Sequence, residues 1–322
     1  MERKISKINV DVTIIIVNFN AFKLLKDCLN TLYEFTSQIN YEVILIDNNS
    51  TTGDISKRFG NNKNLKIIKN KKNKGFGAAN NQGLELAQGK YVLFLNNDTK
   101  FFENTIKKVF DFAETITKPV IIGCKLLNND KTLQHSVYDF PSLQNIFTSN
   151  FFLYALFPKS KSFNKYHLMN QKLNVIKKVD VVTGAFMFCS LDAIKNLGGF
   201  DERFFFYNEE TDLCFRFVRS GGEVYYYPET ALIHLKGGTA NKTSWFSIKN
   251  QSVSTIKFFQ KHFNGYNKLL AITIHYFGLI IRIPAFFVSG LFTLNSKLIK
   301  RSFFSIKLLF IYPVNQFDIN LK

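Results

Sequence analysis

The sequence predicts an α/β fold, a mainly parallel sheet with helices on both faces, followed by a basic and apolar helical region. Three observations lead there. Apolar runs of strand length alternate with stretches of helical spacing through the first half of the chain. Three of those runs stop at clusters of Asn, Asp and Ser, and in an open α/β sheet the carboxyl edge of the strands is the ligand crevice. After Glu229 the only acidic residue is Asp318, while lysines, arginines and large apolar residues continue to the end.

The elements follow in order. "VDVTIIIVN" (Val10 to Asn18) is a buried strand, and Phe22, Leu25, Leu29 and Leu32 recur behind it at helical spacing. "YEVILIDNNS" is a second strand and "LKIIKN" a short third. Ala78 to Ala87 forms a helix closed by Gly89. "KYVLFLNND" is the fourth strand, and the helix from Thr105 to Thr115 carries Ile106, Val109, Phe110 and Ala113 on one face. Asn128 to Lys178 is rich in Phe, Asn, Lys and Ser with weak periodicity, and is expected to be irregular, a candidate mobile loop over the site. "VDVVTGAFMFCS" returns as a strand interrupted at Thr183 and Gly184, and a glycine inside a strand often marks close approach of a ligand or another backbone. The expected domains are residues 1–246 and 247–322.

Bulk properties narrow the class. A 322-residue chain that is 46% hydrophobic has ample material for a core and is not a disordered segment. The net charge of +18 attracts polyanions, either nucleic acid or an anionic membrane face. Cys28, Cys124, Cys189 and Cys214 lie far apart in apolar surroundings, which predicts buried thiols and fits a reducing compartment. The apolar run "VTIIIV" near the start is too short for a signal peptide.

Four motifs carry candidate chemistry. The strand Tyr91 to Leu95 drives into Asn96, Asn97 and Asp98. Such residues favour turns, but three polar strand ends converging on one edge favour ligand handling by Asp98. In "KGFGAANNQG", Gly75 and Gly77 allow close backbone approach beside a helix N-terminus; tight turn and ligand loop both fit. The third glycine of a dinucleotide fingerprint would fall at Asn80, which excludes that motif. "YNEETDLCFR" packs Glu209, Glu210 and Asp212 among aromatic and apolar neighbours, either as a solvated helix start or as a carboxylate of raised proton affinity fit for a general base. "ALIHLKGGT" holds His234, either a structural histidine, as a lone one more often is, or, with the turn at Gly237, Gly238 and Thr239, a group set against a phosphate or a metal.

In this order, "VTIIIVNFN", "EVILIDNNS", "NKGFGAANNQG", "YVLFLNNDT", "VTGAFMF", "GGFDERFFFYNEETDLCFR" and "HLKGGT" resemble the family 2 glycosyltransferases, especially the bacterial rhamnosyltransferase-like branch, over roughly Val12 to Thr239. The resemblance implies a nucleotide-diphosphosugar-binding fold of the GT-A type and an inverting sugar transfer. It sets Asn96, Asn97 and Asp98 at the family's metal motif, with Asp98 holding Mg²⁺ or Mn²⁺ on the donor diphosphate; His234, from the reading of its own motif, is a second candidate ligand. Only the last position of that motif is a carboxylate. Val17, Asn18, Asn20, Asp47 and Asn49, with Gly75, Gly77 and Asn80, fall at the nucleotide-sugar side, and Asp47 where the family contacts base or ribose. Thr183 and Gly184 would line the sugar or acceptor. Glu209 to Asp212 matches the family's acidic motif, usually Glu-Asp-x-Asp, and Glu210 would be the base, one methylene longer than the commoner Asp.

The tail lies outside the resemblance. "LLAITIHYFGLIIRIPAFFVSGLF" is long enough to span a bilayer, but His275, Arg282 and Pro284 interrupt it. Helices lying in the membrane interface, held by apolar burial and anionic lipid, are expected, with a packed subdomain or a true span as alternatives. The implied partners are a nucleotide-diphosphosugar donor, best dTDP-rhamnose with UDP- and GDP-sugars as alternatives, and a lipid-linked glycan acceptor at the cytoplasmic face of the cell membrane. A dimer through the tail is compatible. The rivals are a non-catalytic sugar-nucleotide binder and a nucleic-acid-binding protein. The second lacks a recognition motif, so no nucleic-acid partner is expected.

Overall fold

Val12–Asn18 forms the first strand, β1, and every residue from Val12 to Ile16 is buried in this computed structural model. The structure describes residues 10–53, 55, 59, 65–157, 159–160, 162–163, 173–235 and 244–311. Burial on both faces is the mark of a parallel strand inside a sheet. Helix α1 (Phe22–Phe35) returns over it, burying Leu25, Cys28, Leu29 and Leu32 at helical spacing. The strands β2 (Tyr41–Asp47) and β3 (Leu65–Lys69) follow, then α2 (Phe76–Leu86), β4 (Tyr91–Asn96), β5 (Thr99–Lys100) and α3 (Thr105–Glu114). After β6 (Val120–Leu127) come four short pieces: β7 (Leu133–Gln134), β8 (Val137–Tyr138) and the helices α4 (Leu143–Asn150) and α5 (Leu153–Leu156). The chain continues through β9 (Lys177–Lys178), β10 (Val181–Val182), β11 (Phe186–Ser190), α6 (Leu191–Asn196), α7 (Glu209–Arg219) and β12 (Glu223–His234). It ends in α8 (Trp245–His262), α9 (Gly265–Phe292) and α10 (Ser296–Ile311).

Two units divide these elements. The first comprises 1–138, 172–202 and 210–239. Its sheet runs β3-β2-β1-β4-β11-β6-β12-β5, with β1, β2, β3 and β4 parallel and β11 antiparallel between β4 and β6. Val12, Ile14 and Ile16 face one core with α1 and with Ile106 and Val109 of α3. Ile15 faces the other way onto α2, which approaches so closely that a Cβ at Gly83 would stand 2.7 Å from Ile15 Cγ2. Helices therefore cover both faces, as the alternating sequence predicts.

The second unit gathers 139–171, 203–209 and 240–322. The boundary expected near residue 246 falls within the last of these stretches, and the two earlier ones join it. The stretch read as irregular holds a helix, α4, started by Ser142, whose hydroxyl accepts from the Asn145 amide. Its buried residues include Asn145, Thr148 and Asn150, so the inward face is polar and carries no apolar period. Helix α9 is the one described helix long and apolar enough to cross a membrane, with mean hydropathy 1.7 over its best window. Leu269, Phe277, Ile280, Leu291 and Phe292 on it are exposed.

Candidate active site at the carboxyl ends of the strands

The parallel register sets the site. Asn18 lies opposite Asp47, and Val17 opposite Asn96, so β1, β2 and β4 end at one level. Each strand end is tied to the next by side chains. Asn97 Nδ2 donates to Asn18 Oδ1 at 2.7 Å in a buried contact. Asn18 Nδ2 donates to Ser50 Oγ, which also receives the Asn20 amide at 2.9 Å. Asp47 Oδ1 accepts from the Ser50 amide at 3.2 Å. Asn20 and Asn49 both hold positive φ, at 52° and 70°, a conformation that Asn tolerates better than most residues. Both are exposed at the edge of the crevice.

Asn48 organises the next wall. Its Nδ2 donates to Asn73 Oδ1 at 2.8 Å and to the Gly75 carbonyl at 3.1 Å, while its Oδ1 accepts from the Lys74 amide. Gly75, at φ 87°, makes the left-handed turn that starts α2. Gly77 is buried in the first turn of that helix, and Asn80 turns back to donate to the Phe76 carbonyl of its own helix.

Asp98 is buried and lies beside His234, with Oδ1 3.2 Å from Nε2. The far nitrogen of the ring is held too. Gln134 Nε2 donates to Asn128 Oδ1 and to the His234 carbonyl, so Gln134 Oε1 faces His234 Nδ1 at 2.6 Å. That arrangement makes Nδ1 the protonated nitrogen and turns Nε2 to Asp98 and to Asn96 Nδ2. A carboxylate and an imidazole oriented through its other nitrogen suit a divalent cation. Among the described residues no cluster of three or more His, Cys, Asp or Glu is present, so a cation held by these two side chains would need further ligands. The turn at Gly237, Gly238 and Thr239 lies outside the described residues.

The strand interruption at Thr183 and Gly184 falls where the sequence places it, between β10 and β11. The Ala185 carbonyl accepts the Asn96 amide at 3.1 Å, which brings this bend to the end of β4. A Cβ on Gly184 would stand 4.0 Å from Glu210 Cβ and 3.4 Å from Phe76. Glu210 Oε2 is shielded from water and has no hydrogen-bond partner among the described residues. Burial raises its proton affinity, against the backbone amides of Glu210 and Thr211, which lower it.

The other two acids of the cluster differ. Asp212 is fully buried, and Arg216 Nε donates to its Oδ2 at 2.8 Å. The same guanidinium holds the carbonyls of Leu197 and Gly199, so Asp212 and Arg216 fasten α7 to the Gly198-Gly199 turn. Glu209 opens the helix and is buried. The structure thus brings Asn18, Asn96, Asn97, Asp98, His234, Gly184 and Glu210 to one strand edge and commits Asp212 to packing. Sequence reasoning missed Asn48, Ser50 and Gln134. The first two lie in the polar cluster that directly follows β2, where they could have been found; Gln134 lies in the stretch without periodicity, where nothing marked it.

A mixed, mainly parallel sheet with its polar crevice at the strand ends and helices on both faces is the nucleotide-diphosphosugar-binding fold of the GT-A type. Residues 13–193, more than half of the chain, match the model of Glycosyl transferase family 2, and the chain belongs to that family. It is 27% identical to Rhamnosyltransferase WbbL of Escherichia coli over 168 residues, which are 50% of this chain and 60% of that protein. The chain thus spans less than two thirds of that relative's length. The N-acetylglucosaminyl-diphospho-decaprenol L-rhamnosyltransferase of Mycobacterium tuberculosis is 23% identical over 236 residues, 70% of this chain and 76% of that one. Among solved structures, Mannosyltransferase PcManGT from Pyrobaculum calidifontis, in complex with GDP-Man and Mn²⁺, aligns with a TM-score of 0.53 at 13% identity, covering 94% of this chain and 86% of that one.

Proposed function

We propose that the chain is an inverting, metal-dependent glycosyltransferase that moves rhamnose from dTDP-rhamnose to a lipid-linked saccharide in surface polysaccharide synthesis. Family membership and the two relatives named as rhamnosyltransferases support the sugar, and the decaprenol in one of those names supports a lipid-linked acceptor. The observation that carries the reading is Glu210: a carboxylate oxygen without a hydrogen-bond partner among the described residues, of raised proton affinity, beside the bend at Gly184. Such a group takes a proton from an acceptor hydroxyl as that oxygen attacks the anomeric carbon. The new carbon–oxygen bond forms on one face of the sugar while the bond to the diphosphate breaks on the other, and the electron pair leaves with the nucleotide. Asp98 and His234 would hold Mg²⁺ or Mn²⁺, which neutralises charge on the departing diphosphate when bound. Asp47, Asn18 and Asn20 would orient the nucleoside, and the amide network through Asn48 keeps the Gly75 turn open to it.

The helical unit supports a peripheral place on the cytoplasmic face of the membrane. Exposed Phe277, Leu291 and Phe292 of α9 and Phe303 of α10 sit on helices that also carry Lys268, Lys297, Lys300 and Lys307, with no described acidic residue. That combination suits an anionic lipid surface. Calorimetry with dTDP-rhamnose, UDP-sugars and GDP-sugars in Mg²⁺ or Mn²⁺ tests the donor. Cation-dependent binding of dTDP-rhamnose above the others is expected. Preference for a UDP- or GDP-sugar would move the donor class, and binding without any turnover would make the chain a sugar-nucleotide binder.

A further inference from the structure

Inside the helical unit lies a cavity of about 500 Å³ lined from α4, α8, α9 and α10. Two guanidiniums, Arg282 of α9 and Arg301 of α10, enter it. They are held in register, because Ser302 Oγ donates to the Ile283 carbonyl at 2.8 Å and thereby ties each neighbour of the two arginines to the other. Arg282 makes one long bond, Nη2 to the Ser149 carbonyl at 3.4 Å, and lies over the Phe152 ring. Arg301 lies over the Phe286 ring, 5.7 Å from its centroid. Among the described residues the contacts of Arg282 and Arg301 are to a carbonyl and to rings and not to a carboxylate, although both arginines are partly buried. Two cations sharing a partly dry space repel each other, and a stable fold normally supplies them with an anion. Burial and the Arg301 charge both disfavour the protonated form of Arg282, the first more strongly, with Tyr154 acting the other way.

The remaining lining is of two kinds. His275 is buried, its Nε2 2.8 Å from Ser252 Oγ, and burial followed by the Arg282 charge pushes its pKa down to about 3, so it stays neutral and adds no third cation. Ile146, Phe258, Phe259, Leu279 and Leu308 supply apolar walls. A free inorganic anion has no use for such walls, whereas an amphiphile uses both parts of the space. The same helices expose large apolar side chains, which is where an amphiphile would come from.

We propose that this cavity binds the phosphate or diphosphate of a lipid, with Arg282 and Arg301 as its anion-binding pair and the aromatic and aliphatic walls taking the first part of the hydrocarbon chain. The proposal rests on the reading of a lipid-linked acceptor, for which it names the phosphate subsite. Guanidiniums suit it because they bind phosphate oxygens through paired donors and tolerate partial desolvation.

The test is flotation of the full chain with zwitterionic vesicles that contain either a long-chain polyprenyl phosphate or the matching polyprenol. Tighter binding to the phosphate is expected, with a loss of about tenfold or more in affinity for Arg282→Gln and for Arg301→Gln, the scale of a charged hydrogen bond. Thermal melts of both variants report folding, and Arg301→Gln carries the test if Arg282→Gln does not fold. Equal binding to phosphate and polyprenol vesicles, or wild-type affinity in both variants, would overturn the proposal. So would full displacement by millimolar inorganic phosphate or diphosphate, which would make the cavity a site for the free anion. Flotation needs no donor, so lipid binding by a chain that gives no product when a nucleotide sugar and a divalent cation are supplied in a separate transfer assay would leave this subsite standing while removing the transferase reading.

Discussion

The strand-edge crevice and the helical cavity both suit phosphate, and they are built from opposite charges. The crevice sets Asp47, Asp98 and Glu210 among asparagines whose amides bond one another. The cavity sets two arginines among aromatic rings with no described acid beside them. An acidic site repels a diphosphate unless a cation stands between them, whereas a guanidinium meets a phosphate directly. The two should therefore answer to different treatments. A chelator should silence the first and leave lipid binding by the second intact, and added salt should weaken the second more than the first.

The largest effect is expected at Asp98. Asp98→Ala removes the carboxylate that faces His234, and it should abolish transfer together with cation-dependent donor binding while the circular dichroism spectrum stays that of the wild type. Undiminished wild-type turnover in EDTA would contradict the metal role and dissolve the contrast between the two sites.

A second effect separates the members of the acidic cluster. Arg216→Leu leaves the fully buried Asp212 without its guanidinium, and breaking a buried pair in this way costs about 3–5 kcal/mol. Urea denaturation should show that loss. A change below 1 kcal/mol, within the range of a surface pair, would mean that the Asp212 contact is not holding α7 in place.

The smallest effect is in pH dependence. Burial places the Glu210 carboxyl above its ordinary value of 4.5. A base must be ionised, so turnover should fall with decreasing pH at a higher pH than an ordinary glutamate would give. For stability the sign is the reverse of the usual carboxylate. The folded state holds the proton more tightly than the unfolded one, so the stabilisation is present below the unfolded pKa and lost as pH rises through the folded one. Glu210→Gln should accordingly melt higher than wild type at neutral pH, and a lower melting temperature would contradict the assigned burial cost.

The parts that were legible and those that were not have physical reasons. Strands β1, β2 and β4 are continuous apolar runs because they are buried on both faces, and their polar ends mark the crevice directly. Helices α1 and α3 bury apolar residues at helical spacing; that spacing locates α1, and the expected bounds of α3, Thr105 to Thr115, differ from the observed ones by one residue. Helix α4 could not be placed, since Asn145, Thr148 and Asn150 fill its inward face. The support of His234 by Gln134 joins residues a hundred positions apart, and no local pattern encodes it. By contrast, the engagement of Asp212 was available from its spacing to Arg216, four residues on along a helix.

The central claim is that Glu210 is the base of a crevice that binds its donor independently of it. Glu210→Gln keeps the shape and removes the proton acceptor. Donor affinity by calorimetry and transfer by product assay, measured on one preparation, should show binding within about twofold of wild type and turnover reduced by roughly 10²–10⁴-fold. Near-wild-type turnover in this variant, with Glu209→Gln crippled instead, would contradict the account.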